Sequence, residues 1–468
     1  MKRLVAAGAT VVLAGCATFS EDGGFDTVQK AVKERTGGQA RWVRSEDDAN
    51  SVRARVKELL AKPLSAEDAA QIALLNNPGL QATYAELGIS EADLVQAGRM
   101  TNPHFAYMRV GEGEHRTLEW ALTFPIIDLL TIPMRTRVEA RRFEQTKLSV
   151  ASRAVGTALA ARSAWVRAVA AEQSVRYMDQ VKESAEASAE LARRMALIGN
   201  ASKLTYMREQ AFYAEVVAQL AQARQSALVE REALARLMGL FGEDLAFKLP
   251  ERLPDLPARA PERQELEATA IAQRYDVQAA RRDTEALAGS LGLTKVTRFV
   301  NALEFGPAAE KEGGDDWNRG FELSLQIPLF DWGGARVAKA EAMYMQAVHR
   351  LAETAIEARS EAREAYAAYR TAYDTAKHYR DEIVPLRKKI SDENLLRYNG
   401  MLISVFELLA DVREQVASIN AAIAAQRDFW LAENEMQGAL NGAPFHRGQR
   451  PAGGGERRVA RDPALAGH

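Results

Sequence analysis

The chain has a single cysteine, Cys16, in 468 residues. An intrachain disulfide framework and a cysteine-based zinc site are therefore excluded. It also lacks an excess of either charge, since 61 Lys and Arg meet 63 Asp and Glu. A net charge of −2 gives no electrostatic case for nucleic acid, whose binders carry a basic face. No run of about 18 apolar residues occurs, so no transmembrane helix is expected. Any membrane crossing would have to be a closed barrel, because an open sheet leaves backbone groups unpaired in lipid. Catalytic signatures are missing too: there is no P-loop, no GxSxG and no HExxH. The six histidines are scattered without a ligand spacing, and the twelve methionines read as packing residues. No enzyme activity, metal site or cofactor is expected. Finally, proline is absent from Arg135 to Ala196 and from Arg336 to Val384. Roughly 60 helical residues make a rod of about 90 Å, longer than a globular domain uses.

The first residues, MKRLVAAGATVVLAGCATF, join a basic start at Lys2 and Arg3 to a short apolar run, Leu4 to Ala14. That run is shorter than the roughly 20 residues of a membrane span and fits a secretory signal. Leu13-Ala14-Gly15-Cys16 resembles a bacterial lipobox. The resemblance implies cleavage before Cys16 and acylation of that residue. Ala17 rather than aspartate follows, which points to the outer membrane. Each buried acyl CH₂ contributes about 0.8 kcal/mol to anchoring.

The chain also repeats itself. From Phe321, FELSLQIPLFDWGGARV alternates Phe321, Leu323, Leu325 and Ile327 with Glu322, Ser324 and Gln326. From Leu118, LEWALTFPIIDLL alternates Leu118, Trp120, Leu122 and Phe124 with Glu119, Ala121 and Thr123. Pro125 and Asp128 recur as Pro328 and Asp331, while Arg137-Val138 recurs as Arg336-Val337, so the first copy holds four extra residues near LLTIP. MALIGNASKLTYMREQ (Met195 to Gln210) echoes NGMLISVFELLADVREQ (Asn399 to Gln415). Each copy opens on a helical segment, Leu64 to Met100 or Glu262 to Leu293, followed by a candidate strand, Pro103 to Gly111 or Val296 to Gly306. The unit reads helix, strand, turn, strand, very long helix, break, long helix. EGEH and PAAEKEGGDDWN read as exposed hairpin loops. Strands of about ten residues suit a tilted membrane crossing, but the same alternation would also face the core of a soluble sandwich. Two heptad seams are predicted, one through Leu148, Ala151, Val155, Ala158, Arg162, Trp165 and Val169. The other runs through Ala352, Ala355, Arg359, Ala362, Tyr366, Tyr369, Tyr373 and Ala376. The small seam residues allow close helix approach, and the two arginines suit helices with several neighbours or a wet side.

Taken in this order and duplicated, the lipobox, ALLNNPGLQA (Ala73 to Ala82), Asn102-Pro103, the strand-to-helix junctions and the breaks RRMALIGNAS and LLRYNGMLIS resemble TolC-type outer-membrane efflux proteins. The resemblance covers about 64–442. It implies a mainly α fold with membrane β structure. Four strands per protomer would enter a trimeric 12-stranded β-barrel, continued by a long α-helical periplasmic tube. The implied divisions are signal 1–15, lipid-anchored linker 16–62, first repeat 63–248, Pro-rich link 249–261, second repeat 262–443 and disordered tail 444–468. The implied role is a passive exit duct of a tripartite efflux pump carrying metal ions, drugs or other small molecules. Its implied partners are two further protomers, a periplasmic adaptor protein and an inner-membrane transporter of the resistance–nodulation–division type. Glu119, Thr123, Glu322, Ser324 and Gln326 would line the lumen, and Trp120 and Trp317 would sit near an interface. Gly199, Asn200, Ser202, Gly400, Met401 and Ser404 match the tip where the adaptor docks. Family members often carry two aspartates beyond the tip, at a gate. Glu407 matches the first, whereas the second position is Ala410, with Asp411 one residue later and rotated about 100° away. The rival expectation is a periplasmic coiled-coil adaptor or scaffold lipoprotein with its strands in a soluble sandwich.

Overall fold

The computed structural model describes residues 18–111, 115–260, 265–300 and 302–443. The chain opens with four helices: α1 (Phe25–Thr36), α2 (Glu46–Leu60), α3 (Ala66–Asn76) and α4 (Pro78–Ala97). Strands β1 (His104–Val110) and β2 (Thr117–Pro125) lead into α5 (Ile126–Leu197) and α6 (Lys203–Met238). The order then recurs: α7 (Leu266–Gln273), α8 (Tyr275–Val296), β3 (Leu303–Glu312), β4 (Asn318–Leu325), α9 (Gly334–His378), α10 (Val384–Asn399) and α11 (Val405–Asn441). Polar caps fix several of these starts. Ser45, Ser65, Asn77, Ser202 and Ser404 each accept a hydrogen bond from a backbone N–H in the first turn of the helix that follows. Pro78 takes the first helical position, where its missing N–H does no harm.

Helix α5 has 72 residues, about 108 Å at the usual rise. It begins at once after β2 and runs through Pro133, although the proline-free stretch of the sequence starts only at Arg135. Proline deprives a helix of only one hydrogen bond, and a rod this long keeps its course. In the second copy the chain is irregular from 326 to 333, and α9 starts only after Gly333. The four extra residues of the first copy thus lie within helix. Between α9 and α10, Tyr379–Ile383 forms a single π turn. Pro385 follows two residues on. It has no N–H and would press on the carbonyl four residues earlier, and the wider turn absorbs this without ending the rod.

The core surrounds the middle of α5. Val150, Ala151, Ala154, Val155, Ala158 and Leu159 pack with Phe25, Val28 and Val32 of α1 and with Leu80, Tyr84 and Leu87 of α4. One turn on, Trp165 and Val169 meet Val52, Val56 and Leu59 of α2, Ile72 of α3, and Leu234 and Met238 of α6. Residues 18–62, expected as a linker, therefore contribute two core helices. Their apolar residues recur at threes and fours, and each buried Val or Leu contributes about 1.5–3 kcal/mol before chain entropy. The Trp165 indole N–H donates to the Leu64 carbonyl at 2.7 Å, locking α5 to the start of α3. On the expected seam of α9, Ala362, Tyr369, Tyr373 and Ala376 are buried, while Ala352 and Arg359 are exposed and Ala358 is buried instead. The Pro-rich link packs against this bundle: Tyr373 donates to the carbonyls of Pro257 and Ala258, and Trp430 to that of Pro254.

The four strands form one antiparallel sheet in the order β1-β2-β3-β4. Strand β3 spans Leu303–Glu312, so the first half of PAAEKEGGDDWN is strand and the turn is confined to 313–317. Pro307 hid this strand. On its β4 side the ladder is unbroken, Pro307 facing Phe321. On the β2 side the paired positions skip from Ala121↔Ala308 to Phe124↔Phe305, which accommodates a residue without an N–H. Beside it Gly306 lies so close to β2 that a Cβ would overlap the Leu122 carbonyl oxygen.

Candidate functional site

Cross-strand register decides which side chains share a face of the sheet. One face carries Phe105 and Tyr107 of β1, Leu118, Trp120, Leu122 and Phe124 of β2, Leu303 and Phe305 of β3, and Phe321, Leu323 and Leu325 of β4. The other carries Glu119 and Thr123 of β2, Glu304, Glu310 and Glu312 of β3, and Glu322 and Ser324 of β4. Glu119 directly opposes Glu310, and Thr117 opposes Glu312. Thr123 donates from Oγ1 to Glu304 Oε2 at 2.6 Å. By parity, no Lys or Arg of the described strands lies on this polar face; its single basic side chain there is His104. Met108, Glu119, Ala121, Ala308, Glu310 and Glu322 line a trough on it, so the sheet curls toward its polar side. Like charges set opposite one another destabilise a sheet, and a cation between them relieves that repulsion.

The sequence had marked Glu119, Thr123, Glu322, Ser324 and Gln326. The first four share the polar face; Gln326 stands one residue past β4, where its N–H donates to the Ala302 carbonyl at 3.1 Å. It had missed Glu304, Glu310 and Glu312. The signal was there, because these residues keep a period of two across LEFGPAAEKE, but the proline and the charges read as loop.

Both faces of the sheet are open. Every residue of β1 and of β4 is exposed, and the outer edges of these strands have no partner among the described residues. Trp317 stands one residue before β4, and Ile327 two residues after it. Between them lie about ten residues, roughly 34 Å of strand, or about 26 Å at a 40° tilt. At the helix end Leu329, Phe330 and Trp332 are exposed, with Phe330 98% so.

The breaks between α5 and α6 and between α10 and α11 lie at one end of the protomer. A salt bridge from Arg413 to Glu209 at 3.1 Å ties the starts of α6 and α11 together. Gly199 has φ 80° and Met401 φ 57°, so both bends use the left-handed region. Ser202 and Ser404 then cap the following helices. Asn200 donates its backbone N–H to Met195, and Gly400 to Leu396. With Ser202 matched to Ser404, Met401 takes the place of Gly199 in the second copy, and that methionine adopts the glycine-like conformation. Leu197, Ile198, Leu204, Met401 and Leu402 are all exposed at these bends. Just before the first of them, hydrogen bonds from Arg193 and then Arg194 hold the Glu190 carboxyl at about 2. Glu407 is exposed, and its backbone N–H donates to Ser404 Oγ. Asp411 is only 8% exposed and has an oxygen without a hydrogen-bond partner among the described residues, so within one protomer it faces inward rather than toward a mouth. Cys16 lies outside the described residues.

Strain at Met401 yields a prediction. Met401→Gly is expected to stabilise this bend by about 1 kcal/mol. Hydrogen exchange of tip peptides should slow about fivefold; unchanged exchange would mean that the left-handed bend is not strained.

Among the described residues no helix is long and apolar enough to cross a membrane, and no group of three or more His, Cys, Asp or Glu is placed to hold a metal. No family model matches the chain, and no curated protein matches it. Solved structures do. The outer-membrane channel OprN superposes with a TM-score of 0.69 at 16% identity, covering 88% of this chain and 95% of that one. The outer membrane protein VceC from Vibrio cholerae gives 0.65 at 16% identity, covering 83% and 96%. The chain has the fold of TolC-type outer-membrane channels. The open state of the Neisseria gonorrhoeae MtrE outer membrane channel also matches, with a TM-score of 0.64 at 17% identity over 82% of this chain and 88% of that one. At such identities the likeness is one of fold, and the function must be argued from the surfaces above.

Proposed function

We propose that the chain is one protomer of a trimeric outer-membrane channel serving a tripartite efflux pump. The observation that carries this reading is the sheet: two faces of opposite character, both uncovered, and two free edges. In lipid a lone four-stranded sheet would leave both edges unpaired. Adding β4 of one protomer to β1 of the next keeps every pairing antiparallel, and three protomers close twelve strands, the even number usual for such barrels. The apolar face then meets lipid over a height close to the roughly 25 Å band of known barrels. The acidic face lines the lumen. The two-repeat helical rods continue the wall into the periplasm, and Cys16 supplies the lipid anchor. The scaffold alternative needs something to cover the strands, and nothing in the described chain does so.

The exposed apolar residues at the two bends suit docking of a periplasmic adaptor, and the inner-membrane transporter supplies the energy, since the chain carries no nucleotide motif. Metal ions, drugs and other small molecules remain the cargo classes, and five carboxylates on the polar face of each sheet favour cationic ones. Glu407 is assigned to the periplasmic constriction. In planar bilayers Glu407→Ala is expected to raise single-channel conductance and weaken cation preference. Unchanged conductance and selectivity would remove Glu407 from the narrowest point.

A further inference from the structure

The sheet segregates its charges with unusual strictness. Carboxylates occupy the polar face, whereas the strand cations Arg109, Lys311 and Arg319 all fall on the apolar face. Arg109 and Lys311 both stand level with Leu118. Arg319 lies one tier lower, facing Ala309, and Ala309 in turn faces Trp120, which faces Tyr107. The three cations thus crowd the hairpin end of the apolar face. Below them the tiers through Leu122, Phe321, Phe124, Leu323 and Leu325 hold no charge. Among the described residues none of the three pairs with a carboxylate, although Glu310 and Glu312 flank Lys311 on the opposite side of the same strand. Arg109 and Arg319 are exposed, and Lys311 is half-exposed.

A cation on a lipid-facing strand costs about 2–4 kcal/mol at the midplane and almost nothing at the interface. Three cations confined to one end, beside Trp120 and Tyr107, therefore mark a membrane–water boundary. Long Arg and Lys side chains at that height snorkel toward the headgroups, where the available anions are lipid phosphates. We propose that Arg109, Lys311 and Arg319 form a phosphate-binding belt for the phosphorylated glycolipid of the outer leaflet, nine cations around the closed trimer. The inference rests on the channel reading above. The belt fixes the height of the barrel at the same place where the opposite face is most acidic, so the sheet is held by anions outside and attracts cations inside.

The test uses the full chain purified as a detergent trimer and purified bis-phosphorylated lipid A as the probe, with quenching of tryptophan fluorescence as readout. The R109Q/K311Q/R319Q variant is expected to lose about 100-fold in affinity while remaining trimeric and conducting. The wild type is expected to bind dephosphorylated lipid A equally weakly, and binding should weaken as salt rises. Equal affinity of variant and wild type for lipid A, or equal wild-type affinity for the dephosphorylated lipid, would overturn the belt. A wild-type chain that neither trimerises nor conducts would instead overturn the channel reading, and the belt with it.

Discussion

Replacing Glu119, Glu310 and Glu322 by glutamine is expected to lower the potassium-over-chloride permeability of the reconstituted channel by about tenfold. The argument is one of register. These residues lie at two heights of one face, Glu119 opposite Glu310 and Glu322 opposite Gly306, and closing three sheets would set them as rings around the lumen. Low-dielectric walls lined by one sign concentrate counter-ions, and no Lys or Arg of the described strands neutralises that face. Glutamine keeps side-chain size and hydrogen bonding while removing charge, and it also relieves the Glu119–Glu310 repulsion, so assembly should be retained or improved. The reversal potential across a salt gradient reads the effect directly. The difference should fade near 1 M salt, where screening acts within about 3 Å. An unchanged reversal potential in a correctly assembled trimer would place these carboxylates outside the conduction path.

The second large effect is expected at Gly306. A valine there should abolish trimer assembly, because its Cβ would overlap the Leu122 carbonyl oxygen and would lie 2.9 Å from the Thr123 Cα. The obstacle is backbone, not a flexible side chain, so β2 and β3 must separate. These are the strands that join the two halves of the sheet, and the destabilisation should exceed about 3 kcal/mol. Gly320→Val is the control, since a Cβ at Gly320 meets nothing. The yield of heat-dissociable trimer in membrane extracts separates the two variants. Equal yields would contradict the pinched pairing of β2 with β3.

Much of this architecture was legible in the residues, for identifiable reasons. Alternation at Leu118 to Phe124 and at Phe321 to Ile327 located β2 and β4, because a face against lipid and a face against water impose the plainest period-two signal a strand can carry. Proline-free stretches revealed the rods. Strand β3 was obscured because Pro307 is normally a strand breaker, and its tolerance depends on a gap in the pairing with β2 that no local signal announces. The helical course of 126–134 was hidden in the same way by Pro133. Helices α1 and α2 read as polar linker because only a narrow stripe of each is buried, and part of the surface they cover, on α5, lies far away in the chain. At the tip the sequence located both bends, but Met401 in a left-handed conformation and the inward position of Asp411 are tertiary outcomes. Among the site residues, Glu119 and Glu322 were found because they sit in clean alternation. Glu304, Glu310 and Glu312 share their face but were masked by the misread loop.

The most direct measurement is the state of the full, unacylated chain lacking residues 1–15, purified with and without detergent. It is expected to need detergent, to sediment there as a trimer, and to open discrete conductance steps when added to a planar bilayer. A chain that stays monomeric and soluble in plain buffer and leaves the bilayer silent would contradict the channel account.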